Sequence, residues 1–292
     1  MGADVFDARP DLLGAAADEV LGWSLRETCS TGPEDELTRT DRAQPALYAV
    51  AYALWAELRA GLDEAPAAAA GHSLGEYTAL AAAESLEYLD GLALVAARGA
   101  AMAEAAQAAP SGMAALLGAD ADTAEAIAAT RRADGGSLFV ANLNAPGQVV
   151  LAGAADDIEW VAANARSLGV RRAVPLKVAG AFHSPFMEGA AVALRSALGA
   201  AEFTPGAFPV YANTTARPMV DPAVTLAEQL VSTVRFAESL RAMAADGIET
   251  FVHVGPGDVT AAMAKRTIDG ASVVTVSSIA DIAAARDALA VQ

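Results

Sequence analysis

Apolar residues recur at helical spacing over residues 5–62. Phe6, Leu12, Leu13, Val20 and Leu21 mark one face, and a longer apolar stretch runs from Pro45 to Gly61. Thr31-Gly32-Pro33 interrupts this run, and Pro33 followed by Glu34, Asp35 and Glu36 predicts a helix start. A short apolar segment then leads into Gly71-His72-Ser73-Leu74-Gly75-Glu76 and an alanine-rich helix ending near Leu89. The order is strand, sharp turn, helix. The next helix carries Leu92, Leu94 and Val95 as its apolar face, with Arg98 behind them.

From Gly112 the period shortens. Met113–Leu117 reads as a strand, Asp122–Arg132 as a helix and Leu138–Leu143 as a strand. A turn over Asn144 to Gly147 returns the chain into a strand at Gln148–Ala152, then a helix at Asp156–Leu168 and a strand at Arg171–Val178. This βαββαβ order predicts a ferredoxin-like unit. Helix-rich sequence flanks it, with short strands at Phe208–Tyr211, Thr250–Val254 and Ser272–Val276. The fold class is therefore α/β: a large α/β-hydrolase-like domain with a parallel sheet, formed by residues 1–109 and 179–292, with a ferredoxin-like subdomain inserted at 110–178.

Composition narrows the function classes. No run of apolar residues is long enough to span a membrane, and Met1–Asp7 has neither a basic nor an apolar leader pattern. Cys29 is the single cysteine, which suits a reducing cytoplasm. A net charge of −17 disfavours nucleic acid and anionic membranes as partners.

Gly71-x-Ser73-x-Gly75 has the form of a nucleophile elbow, in which flanking glycines relieve the crowding of a strained turn. The turn puts Ser73 at a helix N-terminus, where the Leu74 N–H is the natural donor to a developing oxyanion. Three histidines are available as base. His72 adjoins the serine, where neighbouring side chains point apart, and His253 reads equally as a strand-end core residue. His183, in the breaker-rich loop Gly180-Ala181-Phe182-His183-Ser184-Pro185 after the insert, is the best base by elimination. Asp221 and Asp258 lie in loops, and spacing selects neither, so a Ser-His dyad and a triad both stand. An arginine on a helix is ordinarily solvated, and local pattern alone gives Arg98 no other role.

The hexapeptide at Gly71, Gly180-Ala181-Phe182-His183-Ser184, the run from Asn142 to Val150 and Val254-Gly255-Pro256-Gly257 occur in one chain. Together they resemble the malonyl-CoA:acyl-carrier-protein transacylases, a family that includes polyketide synthase acyltransferase domains. The likeness extends from about Gly2 to Arg266. It implies ping-pong transfer of malonyl from coenzyme A to a carrier-borne phosphopantetheine thiol, for fatty-acid or polyketide synthesis. It implies no bound cofactor and no metal.

By the same resemblance Ser73 is acylated, His183 is the base, and the Gln229 backbone carbonyl orients that histidine. Arg98 matches the arginine that pairs with the malonyl carboxylate, where a planar guanidinium fits the carboxylate fork. Met102, Asn142 and Asn144 match pocket-lining positions, and Leu74 with Phe182 resembles the malonyl-selective pattern. The family opens with a strand and Pro-Gly-Gln-Gly-Ser-Gln, whose glutamine supplies a second oxyanion N–H. Met1-Gly2 lies just past that point, so the first strand is expected to be missing. A thioester hydrolase and a truncated carrier-binding module are the rival readings. Because carriers are usually acidic, docking is expected on local basic groups, namely Arg171, Arg172, Lys265 and Arg266.

Overall fold

The computed structural model describes residues 1–290. Five short helices open the chain: α1 (Ala3–Ala8), α2 (Pro10–Leu13), α3 (Ala15–Leu21), α4 (Leu25–Ser30) and α5 (Glu34–Leu37). They cover one flank of the long helix α6 (Thr40–Arg59), whose buried stripe runs from Gln44 to Leu58. Strand β1 (Ala69–Ala70) ends at the Gly71 turn, and helix α7 (Gly75–Ala82) follows.

The helix expected to continue to Leu89 stops at Ala82. Glu84 takes a left-handed φ of 61°, and Ser85 is drawn aside by its hydroxyl bond to the Thr204 carbonyl at 2.7 Å. Glu87 then caps a new helix, α8 (Tyr88–Ala108), its carboxylate accepting the Leu89 and Asp90 N–H groups. The sequence carries no Gly or Pro at this break, so its periodicity concealed it.

Helices α6 and α8 are held in register by stacked tyrosines. Tyr52 and Tyr88 lie 4.6 Å apart between centroids, and the Tyr48 hydroxyl donates to the Tyr88 carbonyl at 3.0 Å. Two glycines of α8 permit this approach. A Cβ on Gly91 would lie 2.1 Å from the Tyr48 hydroxyl oxygen, and one on Gly99 would lie 2.9 Å from the Thr40 carbonyl.

The insert contains β2 (Ser111–Leu117), α9 (Ala121–Ala133), β3 (Leu138–Ala145), β4 (Gln148–Ala154), α10 (Ala155–Asn164) and β5 (Arg172–Pro175). Its four strands form one antiparallel sheet in the order β3-β4-β2-β5. Leu116, Leu138, Leu151, Ile158 and Val161 build a core separate from the main one. Two elements are shorter than expected: the second helix ends at Asn164, and β5 ends at Pro175, with a last bond from the Leu176 N–H to the Met113 carbonyl. The turn expected at Asn144 narrows to Pro146-Gly147, with Gly147 at a φ of 69°. Register shifts leave Ala141 and Asn144 unpaired in the ladder of β3. Ala141 instead accepts from the Val234 N–H, and Leu143 donates to the Val234 carbonyl, tying the insert to the rest of the chain.

After a loop come α11 (Glu188–Ala200), β6 (Val210–Tyr211), α12 (Pro222–Gln229), α13 (Phe236–Ala245), β7 (Thr250–Val254), α14 (Val259–Thr267), β8 (Ser272–Val276) and α15 (Ile282–Ala290). Strand β6 is shorter than the Phe208–Tyr211 expected. The parallel pairing is divided into two separate pairs, β1 with β6 and β7 with β8. The molecule is thus mixed α/β, with parallel and antiparallel sheets. A cavity of about 920 Å³ separates the pairs, lined by Ala68–Ala70 on one side, Val252–Val254 on the other, and Trp55 and Phe208. No helix among the described residues is long and apolar enough to cross a membrane.

Replacing Gly91 by alanine should drive α6 and α8 apart against the buried Tyr48 ring. The expected loss is about 1–3 kcal/mol, as for other overpacked cores, read as a lower urea midpoint with unchanged slope. An unaltered midpoint would show that the tyrosine stack yields freely.

Candidate active site

The Gly71 turn places Ser73 in the left-handed region, with a φ of 54°. Gly71 is required there, because a Cβ would lie 1.9 Å from the carbonyl carbon and oxygen of Gly75. Gly75 itself meets nothing within 4 Å and needs no glycine for space, so only one of the two flanking glycines relieves crowding. Helix α7 starts immediately: the Gly75, Glu76 and Tyr77 N–H groups bond to the carbonyls of His72, Ser73 and Leu74. The Ser73 N–H is occupied, donating to Asn213 Oδ1 at 2.7 Å. That leaves the Leu74 N–H as the donor adjoining the serine at the head of the helix.

His183 also has a left-handed φ, of 56°, in the loop between the insert and α11. That loop is anchored at its start. A Cβ on Gly180 would lie 2.7 Å from that of Ala106 in α8, and the Ala181 N–H bonds to Ser111 Oγ at 3.2 Å. His183 Nδ1 lies 2.9 Å from the Gln229 carbonyl. A carbonyl only accepts, so Nδ1 carries the proton and Nε2 presents a lone pair. Nε2 lies 2.8 Å from Ser73 Oγ. Burial, helped by the charge of Arg98, pushes the imidazole pKa down to about 3, so the ring is neutral near pH 7.

Arg98 is 1 % exposed. It lies on the buried stripe of α8 with Val95 and Met102, not on the solvated face where a helix arginine is expected. Its Nη2 donates to Ser73 Oγ and to Gln229 Oε1, each at 2.9 Å, and its Nη1 donates to Gln44 Oε1. The Arg98 Nε is buried without a partner. A guanidinium with a spare donor beside a hydroxyl and its base suits an acyl group that ends in a carboxylate.

Ser73, His183, Arg98 and Gln229 therefore converge. Met102 is buried behind Arg98, its sulfur 3.4 Å from Gln44 Nε2. Phe182 is half-buried beside His183. Asn144 turns to His72, with Oδ1 2.7 Å from Nε2, so His72 is a hydrogen-bonded structural residue. Asn142 is buried where β3 bridges to Val234. His253 is bound locally to Thr260 and to the Gly255 and Gly257 carbonyls. Asp221 caps α12. Arg171 and Arg172 are exposed at β5, bordering a hollow of about 570 Å³, and Lys265 and Arg266 sit in the last turn of α14.

Sequence reasoning missed Gln44, Glu76 and Asn213. Gln44 is a polar residue on an apolar helix face. Asn213 follows a strand parallel to the one bearing the elbow, at the end where open α/β sheets place their sites. Glu76 lies about one helical turn past Ser73.

The low pKa of His183 has a consequence for stability. The unfolded imidazole takes a proton near pH 6.5, whereas the folded one resists it until about pH 3. Folding should weaken as pH falls below about 6.5 and be insensitive to this group above it. Urea midpoints of the wild type and His183→Gln at pH 7.5 and pH 5 test this. The wild type should lose more stability than the variant, and equal losses would refute a neutral buried ring.

Known proteins resemble this chain in sequence and fold. The acyl transferase domain family matches residues 1–286. The malonyl CoA-acyl carrier protein transacylase of Bacillus subtilis is 38% identical over 272 residues, covering 91% of this chain and 85% of that protein. Among solved structures, a malonyl-transacylase in complex with AntF, a type II PKS acyl-carrier protein, superposes with a TM-score of 0.92 at 32% identity. It covers 98% of this chain and 94% of that one. The malonyl-CoA:acyl carrier protein transacylase of Xanthomonas oryzae pv. oryzae gives a TM-score of 0.92 at 36% identity, covering 98% and 92%. A serine elbow, a histidine at its oxygen and a buried arginine beside both are thus carried on a chain that belongs to the acyl transferase domain family, among the malonyl-CoA:acyl-carrier-protein transacylases.

Proposed function

We propose that this protein transfers malonyl from malonyl-CoA to the phosphopantetheine thiol of an acyl carrier protein through an ester on Ser73. The product would serve fatty-acid or polyketide synthesis. The observation that carries this reading is Arg98 Nη2 at 2.9 Å from Ser73 Oγ, a buried cation next to the nucleophile. An acetyl group offers that cation nothing, and a malonyl group offers a carboxylate.

In the first half-reaction His183 Nε2 takes the Ser73 hydroxyl proton as Oγ attacks the thioester carbonyl. The Leu74 N–H receives the negative oxygen, and Arg98 turns its donors to the malonyl carboxylate. Collapse breaks the C–S bond, and His183 returns its proton to the coenzyme A sulfur. In the second half the carrier thiol gives its proton to the same nitrogen while its sulfur attacks the ester. Ser73 leaves with that proton. The Gln229 carbonyl holds Nδ1–H throughout and serves where a triad has its carboxylate. Met102 and Phe182 close the pocket wall, with Asn142 and Asn144 behind it.

We read residues 1–109 and 179–292 as one α/β-hydrolase-like domain and 110–178 as a ferredoxin-like insert. The β3-β4-β2-β5 order, all antiparallel, supports the second assignment. Arg171, Arg172, Lys265 and Arg266 are proposed to receive the acidic carrier.

Intact-mass spectrometry after exposure to malonyl-CoA should show a malonyl adduct on the wild type and none on Ser73→Ala. Arg98→Ala should lose about tenfold or more of the preference for malonyl- over acetyl-CoA, as expected for a charge-assisted pair. An adduct on the serine variant or an intact preference in the arginine variant would overturn the respective role. Changing the four basic residues to Glu should raise the carrier KM at low salt, with the effect shrinking toward about 0.5 M salt. A carrier KM that does not move would place docking elsewhere.

A further inference from the structure

Glu76 is fully buried and takes no part in the acyl transfer itself. Its carboxylate contacts two groups, both donors. Oε1 accepts the Asn213 backbone N–H, and Oε2 accepts Gln229 Nε2. Each partner belongs to the site. Asn213 clamps the elbow on both sides of His72: Oδ1 takes the Ser73 N–H, and Nδ2 donates to the Gly71 carbonyl, each at 2.7 Å. Gln229 gives the Ser73 carbonyl a hydrogen bond from Nε2 at 2.9 Å and offers Oε1 to Arg98, while its main-chain carbonyl holds His183.

The direction of the Gln229 amide decides what Glu76 does. The two ends of the amide are chemically opposite, and rotation by half a turn would present –NH2 to the Arg98 cation and oxygen to Glu76 and to the Ser73 carbonyl. An ionised carboxylate is acceptor-only, so it fixes the –NH2 on its own side and hands the oxygen to Arg98. Gln229 thereby stands between two buried opposite charges and bonds to both. Burial favours the protonated acid and, against the lowering effects of both donors and of the Arg98 charge, pushes the Glu76 pKa up to about 8. A protonated carboxyl, however, would point its own hydrogen at one of two donors. The contacts match the carboxylate.

We infer that Glu76 is a positioning residue for acyl selection: through the Gln229 amide it aims Arg98 at the acyl carboxylate, and through Asn213 it fixes the Ser73 turn. This rests on Arg98 being the group that receives the malonyl carboxylate.

Glu76→Gln preserves size but carries a donor and an acceptor. The Asn213 backbone N–H cannot turn, so the new amide must keep its oxygen there and face –NH2 toward Gln229. Two donors then oppose each other, and the Gln229 side chain rotates away from Arg98. Glu76→Asp is shorter but still acceptor-only.

The experiment measures kcat and KM for malonyl-CoA and acetyl-CoA in both variants, with melting curves to confirm folding. Glu76→Gln should lose about tenfold of the malonyl preference, the scale of one charge-assisted contact. Glu76→Asp should keep the preference even where kcat falls for both substrates. Preference retained in the Gln variant, or lost equally in both, would overturn the inference. Should the Gln variant fail to fold, Gln229→Leu keeps the main-chain carbonyl for His183 and must show the same loss, and an unchanged preference there defeats the relay. A wild type that forms no malonyl adduct on Ser73 would instead defeat the function reading, leaving these outcomes separable.

Discussion

A guanidinium taken fully out of water governs this molecule's design. An unpaired buried charge is among the most destabilising features a fold can carry, and it persists only where hydrogen-bond partners converge on it. Arg98 draws those partners from separate parts of the chain: Gln44 from α6, Ser73 from the elbow and Gln229 from the end of α12. Packing α6 against α8 through Gly91 and Gly99 is what brings the first of these within reach. The fold is therefore arranged around the cation as much as around Ser73.

The same charge shapes the chemistry beside it. With burial it disfavours a protonated His183, which keeps the imidazole neutral, and it donates directly to the Ser73 hydroxyl oxygen. Its three side-chain hydrogen bonds are to neutral oxygens, of Gln44, Ser73 and Gln229. In the proposed reaction an acyl carboxylate would therefore meet a cation held by hydrogen bonds to neutral groups.

Much of this was legible in the order of residues. The strand-turn-helix around Ser73 and the element order of the insert follow from apolar periodicity and from Gly and Pro punctuation, and His183 emerged from its place in a breaker-rich loop at the insert's edge. Arg98 was different. On local pattern it is a helix arginine like any other, and only resemblance to a family singled it out. Glu76 and Asn213 were missed because their importance lies in pairing across more than a hundred residues, which periodicity cannot register. The break at Glu84 escaped for a related reason, since Ser85 leaves the helix for Thr204, far along the chain.

Ser73 is held by its strand and by side chains together. Strand β1 is two residues long and pairs in parallel with β6. The Asn213 amide bridges Gly71 and Ser73 like a brace across a hinge. The sheet carries the serine to its place, and the amide network sets how far it can tremble once there.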